Sequence, residues 1–318
     1  MSHLHVVNGD STRMGLERSG VPGQFVSWGD VLYEGPTPAG VTPDEWRRVR
    51  VQYLAGRGYG NETDIARRSA EDDAQMESWR NHEEVVLWFE HDLYDQLILV
   101  RHLDWMSRLT NRAATRFSLI CRATYLGPLE PDQLGALFPT RTVITDDQIE
   151  LGVRAWQAFC APDPRAIESV AGGDTSALPF LAGALRRHFE EYPSVRNGLS
   201  RSERQILDAV AAGSGTLGEA FVACSRMEER IFMGDSTFYA IAGDLAGSRH
   251  PLLTLKGGAT EESLPSAAVT LTAFGREVRA GREDHVQLNG IDKWLGGVHL
   301  TAGSPFRWSG DSFVLTRS

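Results

Sequence analysis

The chain has 318 residues, a length that allows two domains, each with a core of its own. Hydrophobic residues make up 42% of it and charged residues 23%, which is the balance of a soluble globular protein. The net charge is −10, and residues 1–195 carry −9 of that charge, so the overall balance argues against a protein that binds nucleic acid without regard to sequence.

Cysteine usage and hydropathy favour a reducing compartment and argue against a membrane location. The three cysteines, at positions 121, 160 and 224, are far apart and form no CxxC or Cys/His metal pattern. The N-terminus lacks the basic and apolar regions of a signal peptide, and no apolar run approaches the ~18 residues that a membrane helix needs. We therefore expect a cytoplasmic protein without membrane contacts.

Four short segments in the first 125 residues are almost continuously apolar, as expected of strands that are buried on both faces of a sheet. They span residues 3–7, 23–28, 84–89 and 116–121. Helical patterns lie between them, at 12–19, 42–56 and 92–109. Strands that alternate with helices predict a parallel, doubly wound, Rossmann-like α/β sheet. The polar segment 57–82 is interpreted as a surface insertion, with a lid as the alternative.

The rest of the chain begins with a mostly helical pattern. We interpret residues 126–195 as a helical bridge, after which a capping box, Ser200 with Glu203, begins a new series of helices. Three helices are predicted there, followed by two strands that flank a turn, and this is the order of a winged helix. The chain thus divides into an α/β sheet domain (1–125), the bridge (126–195) and a smaller, α+β, winged-helix-like domain (196–318).

Acidic residues follow three of the four predicted strands. Asp10 comes after the first strand, Asp30 after the second, and a Glu-His-Asp run that begins at Glu90 after the third. Because the carboxyl ends of parallel strands meet at one edge, where such folds bind ligands, we expect these side chains to line a crevice. Further polar residues at the same strand ends are Asn8, Ser11, Asp95 and Arg122.

Two chemistries fit such a crevice. In the first, Asp10, Asp30 and His91 bind a divalent metal ion, which activates water or holds a phosphate. In the second, Ser11 is a nucleophile and His91 is its base, with an acid behind it. We expect the neighbouring acids to raise the pKa of His91 or to orient one of its ring nitrogens. We assign the catalytic roles to His91, Asp10, Ser11 and Glu90, and the substrate contacts to Asp92, Asp95, Arg122 and Asn8.

Each acidic residue also has a purely structural explanation. Asp10 and Asp92 can cap the helices that follow them, and Asp95 is favoured in a first helical turn. Asp30 can hold a turn. We favour a functional site because the acids come from three separate segments of the chain. The stretch NGDSTRMG lacks the GxGxxG pattern of a dinucleotide-binding turn, so we expect no NAD cofactor.

Seven segments of the sequence resemble one bacterial family, the domain of unknown function eighteen thirty-five with its winged C-terminal region. The segments are LHVVNGDS, WGDVLYEGP, VVLWFEHDLYDQLILVRHLDW, DTSALPFL, NGLSRSERQIL, GDSTFY and DKWLGGVHL. The resemblance extends over nearly the whole chain. It implies that the strands that carry NGDS and WFEHD are the marked segments of the family, and it implies no particular reaction.

Two C-terminal motifs bear on partners. The stretch GDSTFYAIAGDLA, at 234–246, occupies the place of a recognition helix but has no Arg or Lys to contact phosphates, which argues against DNA binding. In GIDKWLGGVHL, at 290–300, we expect a turn around a buried Trp294, with a contact to the acidic crevice as the alternative.

Two functions follow from these patterns. The first is a hydrolase that uses a metal ion or acid/base catalysis on a small polar or phosphorylated substrate. The alternative is a non-enzymatic regulator, in which the sheet domain senses a small-molecule ligand and the winged-helix-like domain contacts DNA or protein. A basic stripe on the C-terminal domain would favour the regulator, and a neutral face buried against the sheet domain would favour the enzyme. A homo-oligomer is compatible with either function.

Overall fold

The computed structural model describes residues 2–258, 260–303 and 306–315. The described strands are β1 (His3–Val7), β2 (Gln24–Ser27), β3 (Gly35–Pro36), β4 (Glu84–Phe89), β5 (Arg116–Cys121), β6 (Thr142–Val143), β7 (Leu253–Lys256), β8 (Ala268–Leu271), β9 (Lys293–Gly296), β10 (Val298–Leu300), β11 (Phe306–Trp308) and β12 (Phe313–Leu315). The described α-helices are α1 (Asp10–Arg18), α2 (Pro43–Gly56), α3 (Glu62–Glu77), α4 (Leu93–Ser107), α5 (Pro131–Leu137), α6 (Asp146–Phe159), α7 (Arg165–Gly172), α8 (Leu181–Phe189), α9 (Arg201–Ala211), α10 (Leu217–Arg226), α11 (Asp235–Gly247), α12 (Ala273–Arg279) and α13 (His285–Asn289).

The main sheet has five strands in the order β2-β1-β4-β5-β6. The four strands predicted from the sequence pair in parallel, which confirms an α/β sheet. Every residue of β1 and β4 is buried, because helices cover both faces of the sheet. The edge strand β6, which the sequence analysis missed, runs antiparallel to β5. Parallel pairing brings the carboxyl ends of β1, β2, β4 and β5 to one edge of the sheet.

Local sequence signals account for the helices at this edge. Asp92 is the N-cap of α4, and its side chain accepts a hydrogen bond from the amide of Asp95. Helix α2, predicted at 42–56, begins with Thr42 as N-cap in a capping box and Pro43 in its first turn. The polar segment 57–82 contains α3, which lies against α2 and β2. Among the described residues, no helix is long and apolar enough to cross a bilayer.

The C-terminal third has a hydrophobic cluster of its own, which extends from Leu199 to Val278. Helices α9, α10 and α11 come first, and β7 and β8 then pair as an antiparallel hairpin. Three helices followed by a hairpin is the predicted order of elements.

The last described strands pack elsewhere. Strand β9 pairs in parallel with β3, so that Leu295 lies opposite Gly35. The buried side chains of Leu295, Val298, Leu300 and Phe313 belong to the same cluster as the sheet residues. The sequence analysis placed all of 196–318 in one domain, whereas these strands share the core of the sheet. The physical reason is the β3 strand of two residues, which is too short to be recognised from its pattern.

Candidate functional site

The carboxyl ends of β1 and β4 meet at the centre of the sheet edge. Val7 and Trp88 are paired in parallel, so Asn8 follows β1 beside the turn from β4 into α4. The Asn8 side-chain amide donates a hydrogen bond of 2.6 Å to the carboxylate of Asp95 in the first turn of α4. The Tyr94 hydroxyl donates to the main-chain oxygen of Asn8 at 3.2 Å. These bonds connect the end of β1 to the start of α4.

Three carboxylates cluster in this turn, and we refer to Glu90, Asp92 and Asp95 as the acidic trio. One oxygen atom from each carboxylate lies within 4.8 Å of one from each of the other two, and all three side chains are buried. Glu90 Oε1 accepts from the amide of Leu126 at 2.7 Å, and Asp95 Oδ1 accepts from the amide of Glu90 at 2.8 Å. These donors are neutral, so hydrogen bonds hold the trio in place without neutralising its charge.

The acidic trio binds protons more tightly than ordinary carboxylates. Burial, reinforced by the charge of Asp92, raises the pKa of Glu90 to about 7, against the opposing effect of the Leu126 amide. Burial raises the pKa of Asp92 to about 6, and its backbone hydrogen bonds oppose the rise. The pKa of Asp95 lies well above its ordinary value because of burial and the charges of the other two carboxylates. Like charges at this range must be protonated, separated or bridged by a cation.

His91 does not have the environment that the sequence analysis expected. Burial and the nearby Arg230 lower its pKa, so the predicted rise is wrong. Its ring lies against Tyr125 and Phe180, with centroid distances of 5.1 and 6.0 Å. The Arg230 guanidinium donates to the main-chain oxygen of His91 at 3.2 Å. Among the described residues, His91 Nδ1 has no hydrogen-bond partner.

Asp30 lies at the predicted edge of the sheet but is already paired. Its carboxylate accepts two hydrogen bonds from Arg50, at 2.7 and 3.0 Å, and both side chains are buried. Arg50 also donates to the main-chain oxygens of Val31 and Glu34, so the pair anchors the loop that follows β2. This pairing makes Asp30 a structural residue and takes it out of the predicted set of metal ligands.

Asp10 and Ser11 lie on the exposed first turn of α1. Asp10 forms an ion pair with Arg13 at 3.1 Å, and Gly9, whose residue type offers no capping side chain, is the N-cap. The Ser11 hydroxyl donates to the main-chain oxygen of Gly127 at 3.1 Å. In the part of the chain that the structure describes, no hydrogen bond joins Ser11 to His91, so a nucleophile–base pair is not formed.

The predicted metal set of Asp10, Asp30 and His91 is therefore not brought together. In the described ranges, the one group of three or more His, Cys, Asp or Glu residues whose ligand atoms are in mutual reach is the acidic trio. Arg122 is exposed, and its main-chain amide donates to the oxygen of Phe89 at 3.0 Å.

Sequence reasoning missed several partners of the site because they come from distant parts of the chain. Leu126 and Gly127 supply main-chain amides, which every residue type except proline can supply and which therefore leave no mark in the sequence. Arg50 lies on α2 and Arg230 in the loop between α10 and α11, and nothing in the sequence around either indicates which carboxylate or carbonyl it contacts.

Comparisons with known proteins add no functional information to this geometry. No protein-family model matches the chain, and no curated protein is similar to it. The resemblance to the domain of unknown function eighteen thirty-five stays a prediction based on the quoted segments. Any function must therefore be argued from the residues at the sheet edge.

Proposed function

We propose that this chain is a hydrolase that acts on a small polar or phosphorylated substrate, with a divalent cation bound by Glu90, Asp92 and Asp95. The observation that carries the proposal is the proximity of three buried carboxylates, each of which has one oxygen within 4.8 Å of an oxygen of the other two. A divalent cation relieves their mutual repulsion, and carboxylate oxygens are the ligands that magnesium and manganese prefer. A bound cation of this kind supplies Lewis acidity to a water molecule or a phosphoryl oxygen.

The residues around the trio would orient its carboxylates. The Asn8 amide and the Glu90 main-chain amide hold the two oxygens of Asp95, so that its carboxylate has one direction. The Leu126 amide does the same for one oxygen of Glu90. Because the pKa of Glu90 is raised to about 7 without a cation, a proton and the cation would compete for this carboxylate near neutral pH.

Contacts of α11 support the enzyme over the regulator. In the winged-helix interpretation of the C-terminal third, α11 is the helix that would contact DNA. Its Thr237 instead forms hydrogen bonds with Tyr33, at 2.9 Å, and with Tyr59. Its Asp244 forms an ion pair with Arg57 of the sheet region at 2.9 Å. A face that carries acidic residues and packs against the sheet region is poorly suited to bind DNA.

Calorimetric titration tests the cation site. Magnesium, manganese and zinc chlorides are titrated separately into the wild type, Glu90→Gln and Glu150→Gln, the last being the same chemical change at an exposed position of α6. We expect one cation to bind the wild type and Glu150→Gln equally, and Glu90→Gln at least about tenfold more weakly, because one of three charged ligands is lost. If none of the three cations binds, or if Glu90→Gln binds as the wild type does, the cation site is refuted.

The hydrolase is tested separately with p-nitrophenyl phosphate and p-nitrophenyl acetate in the presence of the cation that binds best. We expect turnover of at least one ester by the wild type and by Glu150→Gln, and its loss in Glu90→Gln. Cation binding without turnover of either ester, or turnover that Glu90→Gln retains, would count against the proposed reaction.

A further inference from the structure

A cavity lies on the flank of the sheet, between α2, α3, α4 and α6. Its volume is about 730 Å³, and none of the acidic trio is among its lining residues. We refer to it as the tryptophan cavity because Trp28, Trp46, Trp105 and Trp156 line it. This volume lies in the range of about 300–1,000 Å³ that is usual for small-molecule sites.

Arg101 of α4 also lines this cavity and is held between two indole rings. Its guanidinium carbon lies 4.2 Å from the ring centroid of Trp28 and 3.9 Å from that of Trp46. Both distances are in the range of cation–π contacts, so the planar group is fixed by its two faces. The N–H groups at its edge are not used by these contacts and remain for an acceptor.

Among the described residues, the other charged side chains that line the cavity form two ion pairs, and Glu77 adds a carboxylate that belongs to neither. Arg47 forms an ion pair with Asp73 at 2.7 Å, and Arg108 forms one with Asp104 at 2.6 Å. Within the described ranges, Arg101 forms no ion pair and its contacts are with the two indole rings. Burial lowers its pKa to about 10, which still leaves the guanidinium charged at neutral pH.

A second donor, which belongs to a residue of the cavity wall, also lacks an acceptor. The indole Nε1 of Trp46 is buried and has no hydrogen-bond partner in the described part of the chain. A buried donor without an acceptor is unfavourable. Arg101 and Trp46 thus bring a positive charge held between two rings and an unsatisfied N–H group to the wall of one cavity.

We infer that the tryptophan cavity binds a small organic anion, whose carboxylate or phosphate contacts Arg101 and whose flat apolar body packs on Trp105 and Trp156. The planar fork of a guanidinium matches two oxygens of either anion. The indole rings supply large apolar surfaces for an aromatic ligand. This site is independent of the proposed hydrolase, because no residue of the acidic trio contributes to it.

Binding is tested by calorimetry with three probes that share a phenyl ring. Benzoate carries a carboxylate, phenyl phosphate carries a phosphate, and benzyl alcohol carries no charge. We expect at least one of the two anions to bind the wild type at least tenfold more tightly than benzyl alcohol does. The stronger of the two anions identifies the class of the ligand. Equal affinity for all three probes, or no binding of either anion, would overturn the inference.

Variants of Arg101 show whether the charge and its geometry are responsible. Arg101→Gln should weaken binding of the preferred anion at least tenfold, whereas Arg101→Lys, which keeps the charge but loses the fork, should weaken it less. Arg67→Gln makes the same change as the first variant at an exposed position of α3 and should bind as the wild type does. Anion binding that Arg101→Gln leaves intact would refute the assignment.

A further variant covers the case in which Arg101→Gln does not fold. Trp46→Phe keeps an aromatic ring over Arg101 but removes the unpaired N–H group. We expect this variant to bind the preferred anion at least threefold more weakly and to bind benzyl alcohol with unchanged affinity. Unchanged affinity for the anion in this variant would contradict the role of the Trp46 N–H group and with it the placement of the anion.

Discussion

The side-chain amide of Asn8 donates a hydrogen bond of 2.6 Å to the carboxylate of Asp95, from the end of one parallel strand to the first turn of the helix after its neighbour. Asp95 is almost fully buried, and its other oxygen accepts from the main-chain amide of Glu90. The hydrogen bond from Asn8 therefore fixes the direction of the Asp95 carboxylate.

Replacement of Asn8 should destabilise the protein. Asn8→Ala leaves one oxygen of Asp95 buried without its donor, and the expected loss in the free energy of unfolding is about 1–3 kcal/mol. Asn8→Asp should cost more, because it adds a fourth carboxylate to the cluster. Urea denaturation measures both, and equal stability of the two variants would contradict this account. Cation at saturating concentration should restore more stability to Asn8→Asp than to Asn8→Ala.

Asp30 provides a contrast, since we expect it to affect stability and not cation affinity. Its buried ion pair with Arg50 has a distance of 2.7 Å. Removal of one partner leaves the other charge buried alone, at a cost of about 3–5 kcal/mol. Asp30→Asn should therefore lower the free energy of unfolding by roughly this amount, while its affinity for the cation stays within twofold of the wild type.

A double-mutant cycle separates the pair from the other bonds of Arg50. Arg50→Gln should cost at least as much as Asp30→Asn, because Arg50 also donates to two main-chain oxygens of the loop. The double variant should be more stable than the sum of the single losses predicts, since it buries no unpaired charge. Additive losses, or a loss of cation affinity in Asp30→Asn, would return Asp30 to the list of candidate ligands.

The sequence predicts the sheet well because its signal is local. Strands that are covered on both faces must be apolar along their whole length, so β1, β4 and β5 are visible as short runs. The two-residue strands β3 and β6 have too few positions to show any period. Parallel topology then follows from the alternation of strands and helices, and with it the edge at which the acids collect.

The sequence predicts the candidate site less well, because side-chain partners are set by tertiary contacts. All members of the acidic trio were named, since they follow one strand within six residues. Asp30 was placed at the correct edge, but its partner Arg50 lies on the next helix, and a basic residue there has no distinguishing pattern. His91 is adjacent in sequence to two acids, yet its ring packs against Tyr125 and Phe180.

Gly29 should be required for the geometry at the end of β1. A Cβ atom added there would lie 2.5 Å from the Tyr94 hydroxyl oxygen and 2.8 Å from the main-chain oxygen of Asn8. The main-chain atom cannot give way without movement of Asn8, so Gly29→Ala should cost about 1–3 kcal/mol. Gly56→Ala is the matched control, because nothing lies within 4 Å of its added Cβ.

Gly29→Ala should also weaken cation binding, because movement of Asn8 would disturb the orientation of Asp95. We expect a loss of stability in urea together with at least a threefold loss of cation affinity, and neither loss in Gly56→Ala. A variant that loses stability while its cation affinity is unchanged would show that the end of β1 is not connected to the trio in the way that the hydrogen bonds indicate.

The acidic trio should make the protein less stable as the pH rises towards neutrality. The pKa of Glu90 is raised to about 7 and that of Asp92 to about 6, so the folded chain keeps protons that the unfolded chain has already released. The contribution of Glu90 and Asp92 to the free energy of unfolding is fully present below about pH 4 and is lost as the pH rises to about 7. The slope is about 1.4 kcal/mol per pH unit for each extra proton that the folded state holds.

Urea denaturation between pH 4.5 and 8 measures this loss. Glu191, whose pKa Arg187 and Lys293 lower to about 2 in spite of burial, loses its contribution below this range and does not interfere. Asp72, whose pKa burial raises to about 6, titrates in the same range, so the comparison includes Asp72→Asn as a control.

Glu90→Gln removes one of the trio's titrations and should flatten the profile. A divalent cation added at pH 8 should restore stability to the wild type and to Asp72→Asn, because it replaces the lost protons, and should restore less to Glu90→Gln. Parallel profiles for the wild type and Glu90→Gln, with no response to the cation in either, would mean that the three carboxylates neither hold protons nor bind metal near neutral pH.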